Sequence, residues 1–202
     1  MINIFLKAKH WQLFIVMLGI PLLFQIYTMF NMFSDFDTES KPNPENVMDT
    51  FQIFPIIMIL FTGVFFGWFW SIAIGLQKKI PKGIKMKVRK FKVFFFIPLI
   101  YIIFLMIYMG GIFSGMGTNG FSNSGWIFAI ILPLHLSSMF CIFYSLYFVS
   151  KTIKTAELQR VVGFGDFAGE FFLLWFYFIG IWIVQPKVNK LYEKENTTAN
   201  NI

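Results

Sequence analysis

The chain has 202 residues and a formal net charge of +7, yet only 13% of it is charged, while 57% is hydrophobic and 21% aromatic. Soluble domains carry about 25% charged residues, and a core of this size cannot hide 29 Phe side chains, so lipid is the expected solvent. The Lys and Arg sit in short stretches between long uncharged runs, which speaks against nucleic-acid binding and matches the positive-inside pattern of membrane proteins.

Residues 1–10 carry Lys7 and Lys9, and residues 11–33 then run without a charge. About 20 apolar residues suffice to cross a bilayer. The run is too long for a signal peptide and no small-x-small cleavage site follows, so a retained first span is expected. Residues 34–50 are polar and acidic (Asp35, Asp37, Glu39, Glu45, Asp49), and Pro42 and Pro44 keep them extended.

The second uncharged run is 51–76, with Gly63 and Gly67 in G-x-x-x-G spacing for close helix approach, and with Trp68 and Trp70 toward its end. The stretch 77–92 holds Lys78, Lys79, Lys82, Lys85, Lys87, Arg89, Lys90 and Lys92; its alternation from Ile84 to Arg89 suits a chain lying on the membrane surface. From 93 to 150 no Asp, Glu, Lys or Arg occurs, so the chain must turn back. The Gly-rich 110–125 is the natural break, giving spans at 93–113 and 126–149 and placing Gly111 and Gly115 among the small residues available for helix packing. Pro55 and Pro98 are expected in first turns, where a missing N–H costs little, and Pro21 and Pro133 deeper, where they kink a helix.

After a polar stretch at 151–166 comes a fifth apolar segment, 168–184, and a polar tail, 185–202. The strictly apolar part, 171–184, gives roughly 21 Å of helix against a hydrocarbon core of about 30 Å. Such a segment either dips in and returns, with Gly180 as a turning point, or spans. The expected fold is thus an all-α integral membrane protein in a single domain, 1–202, with four transmembrane helices and a fifth short re-entrant or spanning helix. An N-terminus in the cytoplasm puts Lys7, Lys9, the 77–92 cluster, Lys151, Lys154 and Arg160 inside and leaves only Lys41 with five carboxylates outside.

Val162-Gly163-Phe164-Gly165-Asp166 resembles a potassium-channel filter. Yet Val161 stands where threonine is needed, the preceding residues are charged, and the loop falls on the wrong side. The same letters contain G-x-G-D of intramembrane aspartyl proteases, but no second aspartate is placed to share a proton. Asp166 suits an N-cap for the fifth helix, with Glu170 adding negative charge to its first turn. His135, followed by Ser137 and Ser138, is an ionisable group well inside the bilayer, and such residues are functional candidates by default. Cys141 has no partner for a disulfide or metal site. The Lys78–Lys92 cluster suits anionic lipid head groups or an acidic partner. No catalytic motif, cofactor fingerprint or metal-ligand pattern is present.

Lys151-Thr152-Ile153-Lys154 with Glu157, then Asp166-Phe167-Ala168-Gly169-Glu170-Phe171-Phe172-Leu173, Trp175-Phe176, Ile179-Gly180-Ile181-Trp182, and Gln185-Pro186 with Asn189, resemble a family of small polytopic inner-membrane proteins of flavobacteria-like bacteria. The opening 7–25 is similar to the same family, and Phe178 stands where a proline is expected. The resemblance implies a bacterial inner-membrane location and no enzymatic activity. The expected role is a non-enzymatic accessory, effector or assembly subunit that packs against copies of itself or a protein partner. The alternative is a pore or the membrane subunit of a transporter.

Overall fold

The computed structural model describes residues 2–37, 44–119 and 125–199. It is 89% helix, with no strand among the described residues. Helix is what an apolar chain of this kind must form, since backbone polar groups away from water can be satisfied only within the segment itself.

A short amphipathic helix, α1 (Ile2–Lys7), is followed by α2 (His10–Phe14), a π-helical turn (Ile15–Gly19) and α3 (Ile20–Asp37). The π turn lies just before Pro21, whose ring cannot fit against the carbonyl four residues earlier in a regular helix. Next come α4 (Pro44–Gly75), a 3-10 turn (Leu76–Lys79), α5 (Val88–Asn119) and α6 (Gly125–Leu158). Four stretches are long and apolar enough to cross a membrane: His10–Asn31, Ile53–Lys79, Val88–Tyr108 and Ala129–Leu158. They correspond to the four expected spans.

The helices run further than the apolar runs alone indicate. α5 starts at Val88, so Arg89, Lys90 and Lys92 belong to its first turns, and α6 continues to Leu158 through Lys151, Lys154 and Glu157. Because α4 and α5 begin early, Pro55 and Pro98 lie inside their helices rather than in first turns. α6 ends at Gln159, which holds the left-handed conformation (φ 54°) usually left to glycine. Its side chain donates to the carbonyls of Ala156 (2.6 Å) and Lys79 (2.9 Å) and ties the end of α6 to the 3-10 turn.

The fifth segment is a pair of helices, α7 (Phe164–Trp175) and α8 (Tyr177–Ala199). The polar tail expected from 185 onward is therefore helical as far as Ala199. The break falls at Phe176 (φ −89°, ψ 59°), not at Gly180. Gly180 serves another purpose: a Cβ there would land on the Leu173 carbonyl, so its absence lets α8 fold back against α7. Lys187 of α8 thereby reaches Glu170 of α7 at 2.8 Å.

The core occupies one end of the bundle. Leu6, Trp68, Phe69, Ile72, Leu76, Phe91, Ile153, Leu174 and Ile181 are all at most 1% exposed, and they come from α1, the C-terminal part of α4 and the 3-10 turn after it, the start of α5, the end of α6 and the α7–α8 pair. Phe91 stacks on Phe148 at 4.6 Å, and Trp70 lies against Phe95 at 5.1 Å. At the other end, Leu23, Phe30, Ile56, Ile107 and Leu132 remain exposed.

Candidate functional site

Among α4, α5 and α6, on the less packed side of this core, lies a cleft of about 440 Å³. Its walls are almost wholly apolar, with Phe54, Met58, Phe65, Leu105 and Met139 among them, and its volume falls within the roughly 300–1,000 Å³ of small-ligand pockets. Four polar groups line it: Thr62 from α4, Tyr101 from α5, and His135 and Ser138 from α6. The Tyr101 Oη lies 3.3 Å from His135 Nδ1, and the rings meet edge to face with centroids 5.9 Å apart. When Nε2 carries the ring proton, Tyr101 donates to Nδ1 and leaves the Nε2–H as a donor.

Sequence reasoning identified His135 and Ser138, and the structure brings both to this cleft; it missed Tyr101 and Thr62. Tyr101 lies in an uncharged run with no local polar signal, and only the packing of α5 on α6 makes it a partner of His135. Ser137 is exposed and does not line the cleft. Cys141 is buried and unpaired.

Asp166 and Glu170 lie elsewhere, at the core end. The N-cap of α7 is Gly163, not Asp166; Asp166 occupies the third helical position and accepts the Gly163 N–H at 2.9 Å. Arg160 grips the same carboxylate through two hydrogen bonds of 2.8 and 3.2 Å. This pairing holds Asp166 below the usual carboxylate range. Residues 162–166 thus form a helix start rather than a ring of stacked carbonyls. Glu170 lies beyond the first turn and meets Lys187 at 2.8 Å and Lys154 at 3.2 Å, while Glu157 bridges the same two lysines. Burial pushes the Glu170 carboxyl up, but Lys187, its own backbone N–H and Lys154 outweigh that and lower it overall.

Residues of the C-terminal segment, Gln185 and Asn189 among them, anchor the α7–α8 pair. Trp68 Nε1 donates to Gln185 Oε1 at 2.7 Å, and Gln185 Nε2 donates to the carbonyls of Phe5 (2.8 Å) and Ala8 (2.9 Å). Asn189 adds a bond to Ala8 O at 3.1 Å. The carbonyls at the end of α1, which have no partner within that helix, are satisfied this way. These residues latch the C-terminal helix to the N-terminus, a role invisible in the sequence because the partners stand up to 181 residues apart.

Of the expected packing glycines, Gly67 meets the Phe5 ring, where an added Cβ would come within 2.8 Å, whereas Gly63 faces open space. The pair is therefore not a common contact surface within the chain. Gly75, not singled out from sequence, is the closer approach, to Leu6. The surroundings of Gly111 and Gly115 lie outside the described side chains. The basic cluster behaves as its alternation suggests: Ile84, Met86 and Val88 are half-buried while Lys85, Lys87 and Arg89 are exposed.

No protein-family model matches the chain, and no curated protein or solved structure is significantly similar to it.

Proposed function

We propose that this chain is a non-enzymatic multi-pass subunit of a bacterial inner membrane, which acts by docking an apolar transmembrane segment of a partner, or of a second copy, against the α4–α5–α6 cleft. The observation that carries the reading is the cleft itself: an apolar concavity inside the spans with a few hydrogen-bonding groups, beside a core that is otherwise closely packed. In lipid, association rests on side-chain fit and on polar groups that find partners across the interface. His135 and Tyr101 supply such groups, and the open face of Gly63 permits close helix approach. A single copy gives the pore reading little support, because aromatic and aliphatic side chains fill the packed end.

The charge distribution supports a cytoplasmic N-terminus, with the lysine-rich loop and the end of α6 on the same side. The α7–α8 pair is read as a re-entrant hairpin entering from that side. The Glu170–Lys187 contact supports this by holding the arms together, and so does an apolar tip on which Trp175, Phe176, Ile179 and Trp182 are exposed.

The test is purification from native membranes in mild detergent, comparing wild type with Leu105→Trp, which fills the cleft. The reading expects a stoichiometric partner or a homo-oligomer that is lost in the variant while the melting temperature holds. A monomer in both preparations would overturn it.

A further inference from the structure

A second concavity, of about 400 Å³, lies where the lysine-rich loop meets α5 and α6. Four cations line it: Lys85 and Lys87 from the loop, Lys90 from the first turn of α5, and Lys151 from α6; Tyr144 and Tyr147 stand between them. Lys90 Nζ lies 5.2 Å from the Tyr144 ring centroid and 5.3 Å from that of Phe94, and Lys151 Nζ lies 5.8 Å from that of Tyr147. The tyrosines thus form an aromatic floor beneath the ammonium groups.

Two features make this an unusual place for four positive charges. None of the four has a carboxylate within ion-pair distance among the described residues, and the nearby carboxylates of α6 and α7 are engaged by Lys154, Lys187 and Arg160. Lys87 and Lys90 also flank the start of α5, where the helix dipole is positive and disfavours cations. Packing these like charges together costs free energy unless an anion joins them.

We infer that this concavity is a binding site for a phosphate ester, held by Lys85, Lys87, Lys90 and Lys151 with its polar end at the tyrosines. The four ammonium groups supply point-charge contacts to phosphate oxygens. Tyr144 and Tyr147 sit where a membrane-interface aromatic belongs, able to donate a hydroxyl to the same oxygens. Apolar side chains continue from the site along α5 and α6: Phe94, beneath Lys90, meets the exposed Phe140 at 6.1 Å, and Val93 and Ile97 are exposed on α5. That strip suits the tails of an anionic glycerophospholipid, so the membrane is the favoured source and a soluble phosphate the other. The site excludes Lys78 and Lys82, which the sequence groups into the same cluster but which do not line it.

The experiment uses the full chain in phosphatidylcholine nanodiscs, titrated with phosphatidylglycerol and read by native mass spectrometry. Lys90→Gln/Lys151→Gln should weaken phosphatidylglycerol retention roughly tenfold or more, at about 1 kcal/mol for each cation near a membrane surface. Lys85→Gln/Lys87→Gln, confined to the exposed loop and so independent of helix packing, should do nearly the same. Lys78→Gln/Lys82→Gln, with equal loss of charge, should change it less than about twofold. Displacement of the lipid by millimolar inorganic phosphate would support the site and assign it to a soluble phosphate; resistance to displacement would assign it to the lipid. Equal losses in all three double variants, or no preference for phosphatidylglycerol over phosphatidylcholine in wild type, would overturn the inference.

Discussion

At the lysine-rich end of the bundle, Trp68, Phe69, Ile72 and Ile153 are sealed where α1, α4, α5, α6 and the α7–α8 pair meet, and the buried Gln185 is fully hydrogen-bonded; at the opposite end, the early part of α4 and most of α3 leave Ile56, Leu23 and Phe30 uncovered beside the cleft. Both ends are rich in Phe, Ile and Leu, so hydrophobicity does not separate them. What separates them is contact between residues distant in the chain: one end is drawn together by glycine approaches, buried hydrogen bonds and ion pairs. The other lacks that closure among the described residues. Cohesion belongs to the first end, and the open apolar cleft within the spans to the second.

The largest expected way to break this contrast is Gly180→Ala. Its Cβ meets the Leu173 backbone, which cannot move aside as a side chain could, so a loss of about 3 kcal/mol is expected. Thermal unfolding in detergent checks it, and an unchanged midpoint would mean that the hairpin is looser than described. Gln185→Ala comes next. It leaves the Trp68 N–H and the Phe5 carbonyl without their partner in the core, at an expected cost of about 2–3 kcal/mol. The same substitution should raise protease sensitivity near Ala8, because the latch is what holds that junction.

Acid should loosen the ion pairs of the closed end. Asp166 and Glu170 are both held below their ordinary carboxylate values by their cationic partners. Their stabilisation is therefore fully present above the unfolded-state values of about 4 and is lost as pH falls through the lower folded-state values. Melting temperature should be flat from neutral pH to about 5 and drop below about 4; Glu170→Gln should flatten part of that drop. The smallest effect sharpens the contrast between the ends. Gly67→Ala should cost up to about 1 kcal/mol because the Phe5 ring must shift, and Gly63→Ala, facing open space, should stay within about 0.5 kcal/mol.

The four spans are legible in the sequence because charge is excluded from them, and residues 93–150 show that a turn is required. Helix ends are less legible: Arg89, Lys90, Lys154 and Glu157 are polar but good helix formers, so they extend helices that the apolar runs begin. The break at Phe176 is marked in the sequence only by Gly180, four residues on, whose missing Cβ permits the close approach to Leu173. His135 and Ser138 stand out because polar groups are rare in the spans. Their neighbours Tyr101 and Thr62, like Gln185 at the closed end, acquire their roles only from helices that meet across the fold.

The most direct test of the contrast places a photo-crosslinking amino acid in native membranes at Leu105, in the cleft, and separately at Ile100, on the exposed face of the same helix. The account predicts a discrete protein adduct from Leu105 and lipid adducts alone from Ile100. Lipid adducts alone at both positions would contradict it, because the cleft would then be only another part of the lipid-facing surface.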